Sequence, residues 1–154
     1  SLHRPQDAVL CTCDGVNYLP SALDVSAFFR AAHRALKPGG ALIFDVSTPW
    51  KLESVLGSHT HGEDLNDVAY LWTNRYYKTS CRVDMRLSIF KRERDGRYAR
   101  IEEEQTQYGY TLKQLTGLLE AAGFAGVQVY GDRVLDAPKP DETRWHVAAT
   151  KKEL

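Results

Sequence analysis

The chain has 154 residues, with 20 Lys+Arg balanced by 20 Asp+Glu, 43% hydrophobic and 26% charged residues, which is the profile of one globular domain and excludes fibrous and low-complexity classes. A chain of this length buries roughly 68–70% of its unfolded surface, enough for a core without disulfides or a structural metal. Zero formal net charge gives no global field to attract nucleic acid or an anionic membrane.

The longest basic cluster, Lys91-Arg92-Glu93-Arg94, is interrupted by a carboxylate and reads as a solvated strand end. No run approaches the ~18–20 apolar residues of a bilayer span, and the N-terminus lacks a signal-peptide layout, so the expected location is the cytoplasm. Cys11, Cys13 and Cys81 make an odd count. The C-x-C spacing is neither a redox motif nor half of a zinc site, so all three are expected to be small buried thiols. Ser1 in place of Met suggests a processed product or a piece of a longer chain.

In chain order, the unalternating apolar run Asp7–Cys13 predicts a parallel strand covered on both faces. Asp14-Gly15-Val16-Asn17-Tyr18 is a polar loop, and Ser21 with Asp24 three residues on starts a capped helix. Val25, Phe28, Phe29, Ala32, Ala35 and Leu36 recur at helical steps, predicting an amphipathic helix over 22–37. Lys37-Pro38-Gly39-Gly40 ends it, and the strand Ala41–Val46 follows, completing a βαβ unit.

Between residues 65 and 110 the pattern changes to antiparallel sheet. Val83, Met85, Leu87 and Ile89 alternate with polar partners, so one face is buried and one is wet. Asp95-Gly96 marks a hairpin joining strands near 82–92 and 97–109, preceded by a third over Ala69–Tyr77. This insert holds six of the eight tyrosines and Trp72. Thr111 and Gln114 repeat the capping spacing before an apolar helix ending at Gly123. Val127–Tyr130 and Trp145–Ala149 read as two final strands that resume the parallel layer, joined by the irregular Asp136–Pro140.

Three segments carry a family resemblance: Asp7–Leu19 (DAVLCTCDGVNYL), Leu36–Val46 (LKPGGALIFDV) and Glu120–Phe124 (EAAGF). Together they resemble class I S-adenosylmethionine-dependent methyltransferases. Phe44–Leu52 followed by an antiparallel insert resembles more narrowly a bacterial subgroup with a small β-sheet before the last helix. The resemblance implies a partial Rossmann-like α/β fold with an antiparallel insert over about 65–110. It also implies that residues 1–154 form the C-terminal part of a methyltransferase domain, the first strand matching the family's fourth. The family's glycine-rich cofactor loop and its acidic ribose-binding strand end belong to earlier βα units and are not found in this sequence.

In open α/β sheets a ligand lies outside the carboxyl ends of the parallel strands, here at Thr12, Cys13, Asp14, Asn17 and Tyr18. The resemblance implies that this loop borders S-adenosylmethionine; the residues by themselves are also those of an ordinary turn, with Asn17 as a cap and Tyr18 covering the sheet edge. Asp45 is either a hydrogen-bonded structural carboxylate or faces the cleft. Ser47, Thr48, Trp50 and Lys51 would rim the pocket. Trp72, Tyr76 and Tyr108 either wall a substrate pocket or pack as ordinary strand aromatics. Gln105 and Gln107 either point amides at a substrate or sit on an exposed strand face. The five histidines are scattered and offer no metal or nucleophile site, and no catalytic residue is identified.

The expected function is methyl transfer to a small-molecule acceptor, with no nucleic-acid or membrane partner and with weak cofactor binding by the chain alone. Self-association is expected through a sheet edge left exposed. The alternatives are a small non-enzymatic α/β module that binds a partner, and a methyltransferase for tRNA or a ribosomal protein, the latter disfavoured by the balanced charge.

Overall fold

The computed structural model describes residues 4–152. The elements are β1 (Gln6–Cys11), α1 (Ala22–Ala35), β2 (Leu36–Ser47), β3 (Thr60–Asp64), β4 (Val68–Tyr77), β5 (Arg82–Arg92), β6 (Tyr98–Tyr108), α2 (Leu112–Ala121), β7 (Phe124–Tyr130) and β8 (Arg144–Lys151). They form a main sheet in the order β1-β2-β8-β7 and an insert sheet in the order β3-β4-β5-β6.

The caps fall where the sequence places them. Ser21 accepts a hydrogen bond from the Asp24 N–H at the start of α1, and Thr111 with Gln114 closes a reciprocal capping box on α2. The first helix is shorter than its apolar stripe, ending at Ala35. Leu36 is already extended (φ −89°, ψ 146°) and pairs with Gln6 of β1, so the Lys37-Pro38-Gly39-Gly40 segment opens the strand instead of closing the helix.

Both helices lie on one face of the main sheet. Val25, Phe29 and Ala32 of α1 and Leu115 and Leu119 of α2 pack with Leu42, Phe44 and Val46 of β2, Val147 and Ala149 of β8, and Phe124. Phe29 meets Phe44 at 5.4 Å between ring centroids. The alternate residues point the other way. Leu10 is 67% and Ile43 42% exposed, and an apolar hollow of about 390 Å³ lies there, lined among others by Ile43, Tyr130, Leu135, His146 and Ala148. No described element lies across this face, so β1 is not covered on both faces as its composition predicts.

Three further expectations are corrected. β1 and β2 are parallel, but β8 runs antiparallel to both β2 and β7; the last strand therefore does not continue a parallel layer. The insert has four strands, because the His-containing polar stretch at 60–64 pairs with β4. Cys13 is exposed and Cys11 and Cys81 are only partly covered. Among the described residues no group of three or more His, Cys, Asp or Glu could hold a metal, and no helix is long and apolar enough to cross a membrane.

Where α2 turns into β7, Gly123 has φ +96° and a Cβ there would stand 2.8 Å from His33 Nε2. Both a left-handed backbone and the absence of a side chain are required. Gly123→Ala is expected to cost about 1–3 kcal/mol of stability, measured by urea denaturation. His33 also stacks edge-on against Phe124 at 5.3 Å. Burial first, then the Lys151 ammonium, lowers its proton affinity, and a hydrogen bond with the Gly123 backbone works in the opposite direction. A lowered folded-state value means that neutral His33 stabilises the fold. That contribution is complete above the unfolded value of about 6.5 and is lost as pH falls through the folded value. An NMR titration of His33 is expected to show a midpoint below 6.5 that rises in Lys151→Gln.

Candidate functional site

The loop after β1 carries two successive non-glycine residues in the left-handed region, Cys13 (φ 61°) and Asp14 (φ 58°). Such residues cost roughly 1–2 kcal/mol each, so the surroundings must hold them. Three sets of contacts do so. The Asp14 N–H donates to Asp45 Oδ2 at 3.1 Å. The Arg144 guanidinium at the start of β8 donates to the same Asp45 oxygen through Nη1 and to Asp14 Oδ2 through Nη2 at 3.1 Å.

Asn17, fully buried, is the third tether. Its amide donates to the carbonyls of Ser47 at 3.0 Å and Tyr108 at 2.9 Å and accepts from the Ser47 N–H at 2.8 Å. The loop is thereby joined to β2 and to the end of the insert. Gly15 sits directly over Cys11, where a Cβ would lie 2.7 Å from the sulfur. Burial first, and then the Asp45 carboxylate, raises the Cys11 thiol above its ordinary value, so this sulfur stays protonated at neutral pH.

Beside the tethered loop, one turn of π-helix over Lys51–Leu56 and the inner face of the insert enclose two adjoining hollows. The first, about 190 Å³, is lined by Asp14, Tyr18, Lys51, Leu56, Trp72, Met85, Gln105 and Gln107. The second, about 220 Å³, shares Trp72, Met85 and Gln105 with it and adds Leu87 and Glu103. Taken as one space they fall near the lower end of the ~300–1,000 Å³ range of small-molecule sites. Tyr18 spans the opening by donating to Gln105 Oε1 at 2.8 Å. Two lining groups carry buried polar atoms with no partner among the described residues, Asp14 Oδ1 and Trp72 Nε1. An unmet buried donor or acceptor costs about 1–3 kcal/mol.

Of the predicted site residues, the structure brings Asp14, Tyr18, Lys51, Trp72, Gln105 and Gln107 to this space. Thr12 and Cys13 stand exposed at the open end of the main sheet. The others do structural work instead. The Asn17 amide is committed to backbone groups, and Asp45 accepts from the Asp14 N–H and from Arg144. Thr48 donates to the Glu142 carbonyl at 2.6 Å and accepts from the Lys51 N–H at 3.0 Å. Tyr76 packs against Leu52, Val83 and Met85, and its hydroxyl donates to Cys81 Sγ at 3.7 Å. Burial and that thiol push Tyr76 well above the ordinary tyrosine range. Tyr108 packs on the main core, and Trp50, 39% exposed, does not line the space.

Sequence reasoning missed Leu56, Glu103 and Arg144. For Arg144 a signal existed, a cation opening an otherwise apolar strand. Nothing in the local pattern marks Leu56. Arg144 stands between two carboxylates whose side chains are only 6% and 14% exposed, so removing it leaves Asp45 without a cation and Asp14 with Lys51 alone, 3.8 Å away. Arg144→Leu is expected to lower stability by roughly 3 kcal/mol in chemical denaturation, with Arg144→Lys intermediate.

No family model matches the chain. A candidate methyltransferase of Geobacillus sp. strain WCH70 is 28% identical over 145 residues, covering 94% of this chain and 59% of that protein. The candidate methyltransferase YqeM of Bacillus subtilis is 29% identical over 145 residues, covering 94% and 58%. This chain thus spans less than two thirds of the length of these relatives. An S-adenosylmethionine-dependent methyltransferase of Clostridium acetobutylicum superposes with a TM-score of 0.90 at 25% identity, covering 99% of this chain and 61% of that one. CalS10, an amino pentose methyltransferase of Micromonospora echinaspora, shares the fold with a TM-score of 0.77 at 18% identity, covering 99% and 61%. In sheet order and insert, and along nearly its whole length, the chain is similar to these methyltransferases and shares the fold of the solved S-adenosylmethionine-dependent enzymes.

Proposed function

We propose that the chain contributes the acceptor-binding part of an enzyme that transfers a methyl group from S-adenosylmethionine to a small molecule. The observation that carries this reading is the half-open space of mixed polar and apolar lining between the carboxyl end of the main sheet and the insert, adjoining the exposed Thr12-Cys13 turn.

The residues present fit one flank of the donor. Thr12 supplies a hydroxyl, and the left-handed turn at Cys13 and Asp14 presents main-chain polar groups at the open end of the sheet, where ligands of such sheets lie. When bound, S-adenosylmethionine supplies an electrophilic methyl carbon on a sulfonium, which an acceptor lone pair attacks as the thioether leaves. The protein's own contribution is orientation and exclusion of water. The tethered loop fixes one wall of the acceptor space, Trp72, Met85 and Leu56 form an apolar lining, and Tyr18 bonded to Gln105 narrows the mouth.

The uncovered face of the main sheet supports a second part of the proposal, that residues 4–152 make up the C-terminal portion of the domain. Leu10, Ile43 and Ala148 point into a space that a further helical layer would fill, and β1 hydrogen-bonds to a strand on one side only. Preceding βα units would cover this face and supply the glycine-rich loop.

The test is calorimetric titration with S-adenosylmethionine of the chain and of a version extended upstream along its natural coding sequence. The extended protein is expected to bind and the chain alone to bind at least about tenfold more weakly. The chain is also expected to associate in size-exclusion chromatography through its open edge, and the extended form to run as a smaller species per chain. Tight binding by the chain alone overturns the incomplete-domain reading. Absence of binding by both favours a non-enzymatic module.

A further inference from the structure

A folded chain pairs the polar groups that it buries, because an amide or hydroxyl taken out of water without a partner is destabilising. Among the described residues seven polar or charged side chains are buried. Six of them hydrogen-bond within the protein, those of Asn17, Asp45, Ser47, Thr48, Asn74 and Ser88. The seventh is Gln107, 6% exposed, whose side-chain amide has no partner among the described residues. Neither of its amide atoms is sealed off, since the fully occluded and partnerless side-chain atoms belong to Asp14, Trp72, Asn74 and Arg82. Strand register fixes where this side chain goes. Gln107 stands opposite Val83 of β5, so the pleat sends both to the face that carries Met85, and Gln107 lines the smaller hollow there. The other polar side chains of that lining are already engaged. Tyr18 donates to Gln105, Gln105 to Glu103 and Lys51 to Ser47 Oγ, while Asp14 accepts from Arg144.

Resting on the methyltransferase reading above, we infer that Gln107 reads the methyl acceptor: its amide bonds a neutral group that both donates and accepts, a hydroxyl or a carboxamide, on a molecule of single-ring size whose apolar side lies along Leu56, Trp72 and Met85. A primary amide offers N–H donors and a carbonyl acceptor and bears no charge. It selects by hydrogen-bond pattern. A group that only accepts leaves the Gln107 oxygen unmet, and an apolar group leaves the whole amide unmet. A site built around a polar side chain penalises that loss more heavily than a change of one methylene. The place of Gln107 on a paired strand of the insert holds the amide at a set position, as selection by geometry requires.

The test uses the upstream-extended protein and two pairs of rings alike in size, benzamide with acetophenone and phenol with toluene, the first of each pair able both to donate and to accept. Affinities are read by chemical-shift titration, with no turnover required. The preference for benzamide over acetophenone, or for phenol over toluene, is expected to be about tenfold greater in the parent protein than in Gln107→Leu. The first pair reports a carboxamide ligand and the second a hydroxyl. Leucine removes the unpaired amide at nearly the same volume, so the urea midpoint of Gln107→Leu is expected to equal or exceed that of the parent. A second measurement requires no variant. In the parent protein the Gln107 side-chain N–H resonances are expected to move further with benzamide than with acetophenone, or further with phenol than with toluene.

An equal preference in parent and variant within both pairs overturns the proposal, as do side-chain resonances that none of the four rings moves. A lowered urea midpoint in Gln107→Leu overturns it too, since it marks a structural partner for the amide. S-adenosylhomocysteine titrated into the same protein reports on the methyltransferase reading separately. If it binds while Gln107→Leu treats both pairs as the parent does, methyl transfer stands and Gln107 has no part in choosing the acceptor. Discrimination that depends on Gln107 without S-adenosylhomocysteine binding keeps Gln107 as the ligand-reading residue and removes the methyl-transfer reading.

Discussion

One guanidinium organises the end of the main sheet. Arg144 enters from β8, the strand lying between β2 and β7, and reaches Asp45 on β2 and Asp14 on the loop after β1. Three elements distant in sequence are fixed by one side chain whose charge is balanced where it is least solvated. A partly buried cation between two buried carboxylates is a weak source of net stability, since desolvation offsets much of the attraction, but it is a strong constraint, because displacing it leaves Asp45 without a cation. That constraint holds Cys13 and Asp14 in a backbone conformation that their side chains disfavour.

Asn17 carries the same constraint to the insert. By accepting from Ser47 and donating to Ser47 and Tyr108, it ties the end of β6 to the main sheet at a buried point. The insert also packs on the π-helical turn through Leu52, Leu56, Val83 and Met85, and Tyr18 donates to Gln105 of β6. The space between the two sheets is therefore bounded by one tethered wall and one packed wall. Asp14, Asp45 and Arg144 hold the loop in place.

The main sheet has an unequal pair of faces. One is filled by both helices with the Phe29, Phe44 and Phe124 rings at its centre, and the other shows Leu10 and Ile43 to solvent. Apolar residues at successive positions of β1 and β2 suit a strand buried on both sides, so the sequence anticipates cover that residues 4–152 do not supply.

The helices, the caps at Ser21 and Thr111, the Asp95-Gly96 hairpin and the three longer insert strands were legible in the sequence, because each is set by local chemistry: side-chain period, capping oxygens, or a residue tolerant of positive φ. The loop at 12–18 was legible too, since a polar glycine-containing stretch after an apolar run marks a strand end. Other features needed the fold. An apolar run such as Trp145–Ala149 has no direction of its own, so only the pairing of β8 with β2 and β7 could make it antiparallel. The polar stretch Thr60–Asp64 has the composition of a loop and becomes a strand because β4 offers it an edge. Asp14 and Trp72, 58 residues apart, line one cavity only because two separately patterned sheets are fastened together by Asn17, and contacts over such a separation leave no periodic trace in the chain.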